Sequence, residues 1–190
     1  MDVMVRWQPG SEQRLAAAAL ELYAERGFEQ TTAAEIAESV GLTERTFFRY
    51  FADKREVQFA GQDRFQQVFV DGIAAAPEGG SALETVAFAL DAAASFFPDE
   101  RRPYSRLRQT VLDANPSLQE RELLKSAWLA SAMAAALRER GVPDPQATLA
   151  AYHAGTVFTV SFRQWIAEDE TRSIADIERA MFRELQDLTR

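Results

Sequence analysis

The sequence predicts an all-α protein of about nine helices, arranged as a small head of three short helices followed by a larger helical bundle. Three observations predict it. Five segments open on a Ser, Thr or Asp with an acid three residues later: Thr32/Glu35, Asp53/Glu56, Ser81/Glu84, Ser117/Glu120 and Ser173/Asp176. Such a pair satisfies backbone N–H groups that a helix start leaves orphaned. Gly27, Gly41, Gly79-Gly80, Pro98, Pro116 and Gly141 fall between the periodic segments, where helices stop. No alternating run of β-branched residues bounded by turn signals competes with this pattern.

The expected helices run over 11–26, 33–40, 44–50, 54–76, 82–97, 101–114, 118–140, 145–167 and 174–188. The first aligns Leu15, Ala18, Ala19 and Leu22 on one apolar face and ends at Gly27. The second starts at Thr32, turns Ile36, Ala37 and Val40 inward and stops at Gly41. Thr43 caps the third, and Asp53/Glu56 opens the fourth. The fifth is apolar nearly all round (Val86, Phe88, Ala89, Leu90, Ala93, Phe96, Phe97), so it is expected to be surrounded by protein. The sixth lies between Pro98 and Pro116. The seventh carries Leu123, Leu124, Trp128, Leu129, Met133 and Leu137. Asp144-Pro145, a cap followed by proline at the first helical position, opens the eighth. Its stretch "VFTVSF" is strand-like, but it lies within a long uninterrupted segment and reads as buried helix. Ser173/Asp176 opens the ninth. A composition shift near residue 54 divides the chain into an N-terminal tail (1–10), a head (11–54) and a helical body (55–190).

Composition narrows the function. The 190 residues contain no cysteine, which excludes disulfides, thiolate catalysis and cysteine-bound zinc. His153 is the only histidine, so a Ser-His-Asp triad would have to use it, and a two-histidine metal site is impossible. No catalytic residue, metal or cofactor is expected. The opening "MDVMVRWQPG" has no long apolar run and carries an early acid, so no secretory signal is expected. No apolar run is long enough to span a membrane, and a cytoplasmic protein is expected. The formal net charge is −8, and residues 1–60 hold seven basic and ten acidic side chains. Only Thr43 to Arg55 turns positive, with Arg45, Arg49, Lys54 and Arg55 against Glu44 and Asp53. Any affinity for nucleic acid must therefore reside in a small local patch.

The second and third helices, joined by a short turn at Gly41, form a helix-turn-helix pattern. On a helical wheel, Thr43, Phe47, Tyr50 and Phe51 fall on the inner side. Glu44, Arg45, Phe48 and Arg49 fall on the outer one. An outward phenylalanine between arginines gains nothing until something covers it. Major-groove DNA would: the ring can meet a thymine methyl, and arginine can reach guanine or phosphate. Glu44 either accepts from cytosine N4 or orients Arg45.

The stretch "AALELYAERGFEQTTAAEIAESVGLTERTFFRYFADKREV", Ala18 to Val57, resembles the DNA-binding head of tetracycline-repressor-like (TetR-family) regulators, most clearly in "ERGFEQTT", "EIAESVGL" and "YFADKRE". The resemblance implies a dimeric, ligand-responsive transcriptional repressor that binds a palindromic operator and is released by a small apolar effector. It implies DNA contacts at Thr32, Thr43, Glu44, Arg45, Thr46, Phe48, Arg49, Tyr50 and Lys54. Thr32, Thr46, Tyr50 and Lys54 would hold the backbone, while Glu44, Arg45, Phe48 and Arg49 would read sequence. The family commonly has tyrosine where this chain has Phe48, so a hydroxyl bond to phosphate is lost. Arg6-Trp7 could add a contact from the tail. The alternative is a small-molecule-binding or enzymatic helical protein with a degenerate head.

In the body, apolar pockets between helices are the expected ligand sites. Candidate lining residues are Phe69, Phe88, Phe96, Trp128, Met133 and Phe158, with Arg106, Gln109 or His153 as polar anchors. Ordinary core packing is the competing reading for each aromatic. The homodimer expected from the resemblance would pair the last two helices with their symmetry mates. Ala147, Ala150, Ala151, Ala154 and Gly155 would permit close approach. Phe158, Phe162, Trp165, Ile166, Ile174, Ile177 and Met181 would supply apolar contact.

Overall fold

A computed structural model describes residues 10–188; the Arg6-Trp7 segment lies outside the described residues. Among these, nine α-helices and no strand are present: α1 (Ser11–Arg26), α2 (Ala33–Ser39), α3 (Glu44–Tyr50), α4 (Gln62–Ala75), α5 (Ala82–Ala94), α6 (Arg102–Asp113), α7 (Pro116–Glu139), α8 (Gln146–Trp165) and α9 (Ile174–Leu188). The all-α expectation holds. The Thr32/Glu35 and Ser81/Glu84 capping boxes form completely, with both reciprocal bonds. Ser173 and Asp176 pair at the start of α9.

Three starts differ from expectation, the slightest being α8, which opens at Gln146 with Pro145 rather than Asp144 as its cap residue. Asp53 accepts from the Arg55 and Glu56 amides, but it launches only a short 3-10 turn, Glu56–Phe59. Gly61 then adopts a left-handed conformation (φ 81°), which a side chain would resist, and α4 begins at Gln62 rather than residue 54. The seventh helix begins at Pro116, whose missing N–H costs nothing at a first position, and not beyond Ser117.

The chain forms two compact units. One ends at Ala60 and also takes in Leu107–Gln119; the other holds Gly61–Arg106 and the chain from Glu120 onward. The expected boundary at residue 54 falls inside the first unit. Its core joins Leu15, Ala19, Leu20, Tyr23, Ile36 and Phe47 to Val57 and Phe59, and is completed from far along the chain by Val111, Leu112 and Leu118.

The second unit packs α4 on α5, and α8 on both α5 and α9. At the α4–α5 crossing Gly72 is the point of closest approach: a Cβ there would lie 2.9 Å from the Ala89 Cα. Phe65, Phe69, Phe96, Phe97 and Phe158 form one aromatic cluster, with ring centroids 5.1–6.1 Å apart. Phe162 and Trp165 extend it. Two arginines of α6 fasten the end of α8 and the loop after it. Arg106 donates to the Ile166 and Ala167 carbonyls, both at 2.6 Å. Arg102 donates to the Glu170 and Arg172 carbonyls and lies over the Trp165 ring.

This packing corrects the inferred dimer seam. Ala147, Ala150, Ala151 and Ala154 are buried in the core shared with α4, α5 and α7, so their smallness serves close approach within the protomer. Trp165, Ile174 and Ile177 are likewise fully enclosed and cannot meet a partner. Gly155, Phe158, Phe162, Ile166 and Met181 are half-buried. The outward side of α8 instead carries Leu149, Tyr152, Thr156 and Val160.

Gly72→Val should drive its side chain into Ala89. It is expected to lower stability by roughly 1–3 kcal/mol, the usual cost of overpacking, read as a fall in midpoint in thermal or urea unfolding of the full chain.

Candidate nucleic-acid interface

The outward face of the head is made by a very short helix held at both ends. At the end of α2 the Leu42 amide donates to the Ala37 carbonyl and the Gly41 amide to the Glu38 carbonyl, both at 2.9 Å. This double closure requires a left-handed residue, and Gly41 supplies it at φ 69°. The guanidinium of Arg14 on α1 donates to the Val40 carbonyl in the same turn; nothing in the sequence pattern marked that residue. Thr43 then caps α3, its hydroxyl accepting from the Thr46 amide at 3.2 Å and bonding the Thr46 hydroxyl at 3.0 Å.

Phe47 is 0% exposed and anchors α3 in the head core; Phe48 is 51% exposed. Their rings meet edge to face at 5.4 Å. Arg45, Thr46, Phe48 and Arg49 together line one surface hollow, as i, i+3 and i+4 spacing on a helix allows. Glu44 is exposed beside them.

Tyr50 corrects the wheel. It stands 40% exposed at the last residue of α3, not packed inward. Arg49 donates to its hydroxyl at 3.1 Å and lies 5.0 Å from its ring centroid. That bond first, and one with Ser11 second, pull the Tyr50 phenol below its ordinary pKa. Arg49 and Tyr50 thus present a guanidinium and a polarised hydroxyl side by side, a pairing suited to one phosphate group.

Thr32 and Lys54 are placed differently from a simple contact residue. The Thr32 hydroxyl donates to Glu35 at 2.8 Å while accepting from the Glu35 amide, and Glu35 in turn faces Arg26 at 3.6 Å. Lys54 precedes α4, not within its first turn. Its ammonium donates to the carbonyls of Phe28 (2.8 Å), Thr31 (3.3 Å) and Glu29 (3.4 Å). It also lies 4.3 Å from the Phe28 ring centroid and 3.7 Å from the Glu29 carboxylate. An ammonium has three protons, and here they tie down the α1–α2 turn. The Tyr23 hydroxyl donates to the Lys54 carbonyl at 2.6 Å, closing the same knot from the other side.

Residues 15–60 match the pattern of "Bacterial regulatory proteins, tetR family". The head of the chain carries that family's pattern, and the chain beyond residue 60 lies outside the match. It is 36% identical over 92 residues to the HTH-type transcriptional regulator TcmR of Streptomyces glaucescens; the match covers 44% of this chain and 41% of that regulator. The solved structures similar to it share the fold along nearly the whole chain. FadR of Bacillus subtilis, in complex with stearoyl-CoA, has a TM-score of 0.61 at 18% identity, covering 91% of this chain and 96% of that one. The TetR-family repressor FadR of Thermus thermophilus, in complex with lauroyl-CoA, has a TM-score of 0.55 at 21% identity, with coverages of 92% and 93%.

The structure does not gather the nine candidate ligand residues. Phe69, Phe96, Met133 and Phe158 share the apolar core of the second unit. Phe88 and Trp128 are 43% and 46% exposed, the latter flanked by Arg121 and Lys125. Arg106 is committed to its two carbonyls. Gln109 belongs to the first unit, where it donates to Asp113 at 2.9 Å. His153 is half-exposed on α8. Among the described residues no cluster of potential metal ligands is present.

Phe47→Ala should cost the head about 3–5 kcal/mol, as for other buried phenylalanines, whereas Phe48→Ala should stay within about 0.5 kcal/mol of the parent. Urea unfolding of the two variants reads the difference. Lys54→Met should lose about 1–3 kcal/mol because it strands carbonyls that a charged donor now satisfies, measured in the same way.

Proposed function

We propose that the protein is a DNA-binding transcriptional regulator, a ligand-responsive repressor that binds a palindromic operator as a homodimer. The observation that carries this reading is the outer face of α3. Arg45, Phe48 and Arg49 project together while Phe47 fixes the helix beneath them. Arg45 and Phe48 are suited to base edges, arginine to guanine O6 and N7, the ring to a thymine methyl. Arg49, drawn to Tyr50, is suited to the backbone, as are Thr46 and Thr43. A net charge of −8 supplies no general attraction to phosphate, so binding depends on this face.

The name of TcmR, a transcriptional regulator, supports the same role. Two similar folds hold acyl-CoA molecules, which supports an effector with an apolar chain for this protein, received in the second unit near its aromatic cluster. Effector release of DNA requires that the two ligands favour different states of the dimer. For the dimer, Leu149, Tyr152 and Val160 on the exposed side of α8 offer apolar contact in place of the enclosed residues. Two-fold symmetry would set half-sites about 34–36 Å apart. No helix among the described residues is long and apolar enough to cross a membrane, and we place the protein with the chromosome in the cytoplasm.

Selection from a random duplex pool, followed by gel-shift titration on the selected site, tests the reading. Arg45→Ala and Phe48→Ala should each weaken specific binding by about 1–3 kcal/mol and relax preference at the bases they meet. Arg49→Ala should weaken all sequences alike and reduce the salt slope by about 1. Phe48→Tyr should tighten binding by restoring a hydroxyl. Failure to enrich any sequence, with no salt-dependent binding even at low salt, would overturn the proposal.

A further inference from the structure

Between α5 and α9 lies a cavity of about 130 Å³, open to solvent on one side and walled by Ala87, Leu90, Asp91, Glu178, Phe182 and the two arginines Arg179 and Arg183. One wall residue is anomalous. Glu178 is 3% exposed, and neither carboxyl oxygen has a hydrogen-bond partner among the described residues. A buried carboxyl without a donor is costly, more so when ionised. Burial above all, and Asp91 next, push its pKa up to about 8 against the pull of Arg179. Arg179 does not repair the deficit, because it is shared between Asp91 and Asp176.

We propose that this cavity is a binding site for a small organic cation, a primary alkylammonium, whose ammonium pairs with Glu178 and whose chain lies on Ala87, Leu90 and Phe182. The volume is several times what one water needs. Charge selects the sign of the ligand. The charges that act on Glu178 are Asp91, which opposes its ionisation, and Arg179, which favours it; these two offset each other, so the ionised carboxyl keeps one negative charge uncompensated. A monocation cancels it, while an anion would add to it. The apolar wall selects an alkyl chain over a hydrated metal ion. Binding moves a proton: below about pH 8 the Glu178 carboxyl gives its proton to solvent as the ammonium arrives. The site is independent of what the head binds.

Isothermal titration of the full chain with butylammonium chloride tests this. Saturable binding is expected, with close to one proton released per ligand at pH 7, read by comparing phosphate and MOPS buffers. Affinity should rise about tenfold from pH 7 to pH 9, as the ionised fraction of Glu178 rises while the ligand stays charged. Glu178→Gln, which keeps the shape, should weaken binding at pH 9 at least about tenfold. Ala87→Leu, which fills the cavity from the other helix and leaves Glu178 in place, should also weaken it while helical circular dichroism is retained. Absence of saturable binding at pH 9, equal binding by either variant, or preference for butanoate over butylammonium would each overturn the proposal.

Discussion

The outer face of the head exists because one ring is buried. A seven-residue helix is far too short to be stable in isolation. α3 persists because Phe47 is inserted among Leu15, Ala19, Leu20, Tyr23, Ile36 and Ala37, while Thr43 closes its first turn and Phe51 its last. Once Phe47 is fixed, helical geometry leaves Arg45, Phe48 and Arg49 no inward option. The tie at Lys54 serves the same end from beneath. It clamps the turn between α1 and α2, so that Ile36 and Ala37, the wall against which Phe47 packs, are themselves held. Recognition residues on a small scaffold are useful to the degree that their support is rigid.

The second unit solves a different problem. Its helices approach closely where Gly72 and the alanines of α8 allow it, and they separate where the phenylalanines stack. The Arg102 and Arg106 guanidinium groups then satisfy carbonyls that the end of α8 and its following loop leave without intrahelical donors. Glu178 and Ser161 are the exceptions in this economy of satisfied groups, Glu178 being a carboxyl placed where its neighbours offer it no donor.

Much of this was legible in the sequence because the relevant signals are local. Capping pairs at Thr32 and Ser81, glycine at the α2–α3 turn and the split between Phe47 and Phe48 all follow from residues within a few positions of each other. What escaped depends on distant partners. Gly61 halts a helix that its cap had announced. Tyr50 leaves the core because it stands at the margin of the Phe47 face on the last residue of α3, where its hydroxyl is held by Arg49. The alanines of α8 look the same whether they face a symmetry mate or α5. Only packing decides, and it buried Ala151, Trp165 and Ile177 inside the protomer. Arg14 and the carbonyl trio of Lys54 are joined across more than twenty residues, a spacing that carries no periodic signal.

The head's core is finished by Val111, Leu112 and Leu118, some fifty residues after the rest of it ends at Phe59. During synthesis the first sixty residues therefore leave the ribosome with an apolar surface still uncovered. They stay so until α4, α5, α6 and the start of α7 have been made. Domains ordinarily complete themselves in order of emergence. Here the N-terminal one must wait, and a ribosome that stalls before Leu118 releases a head whose hydrophobic face is open to whatever else is nearby.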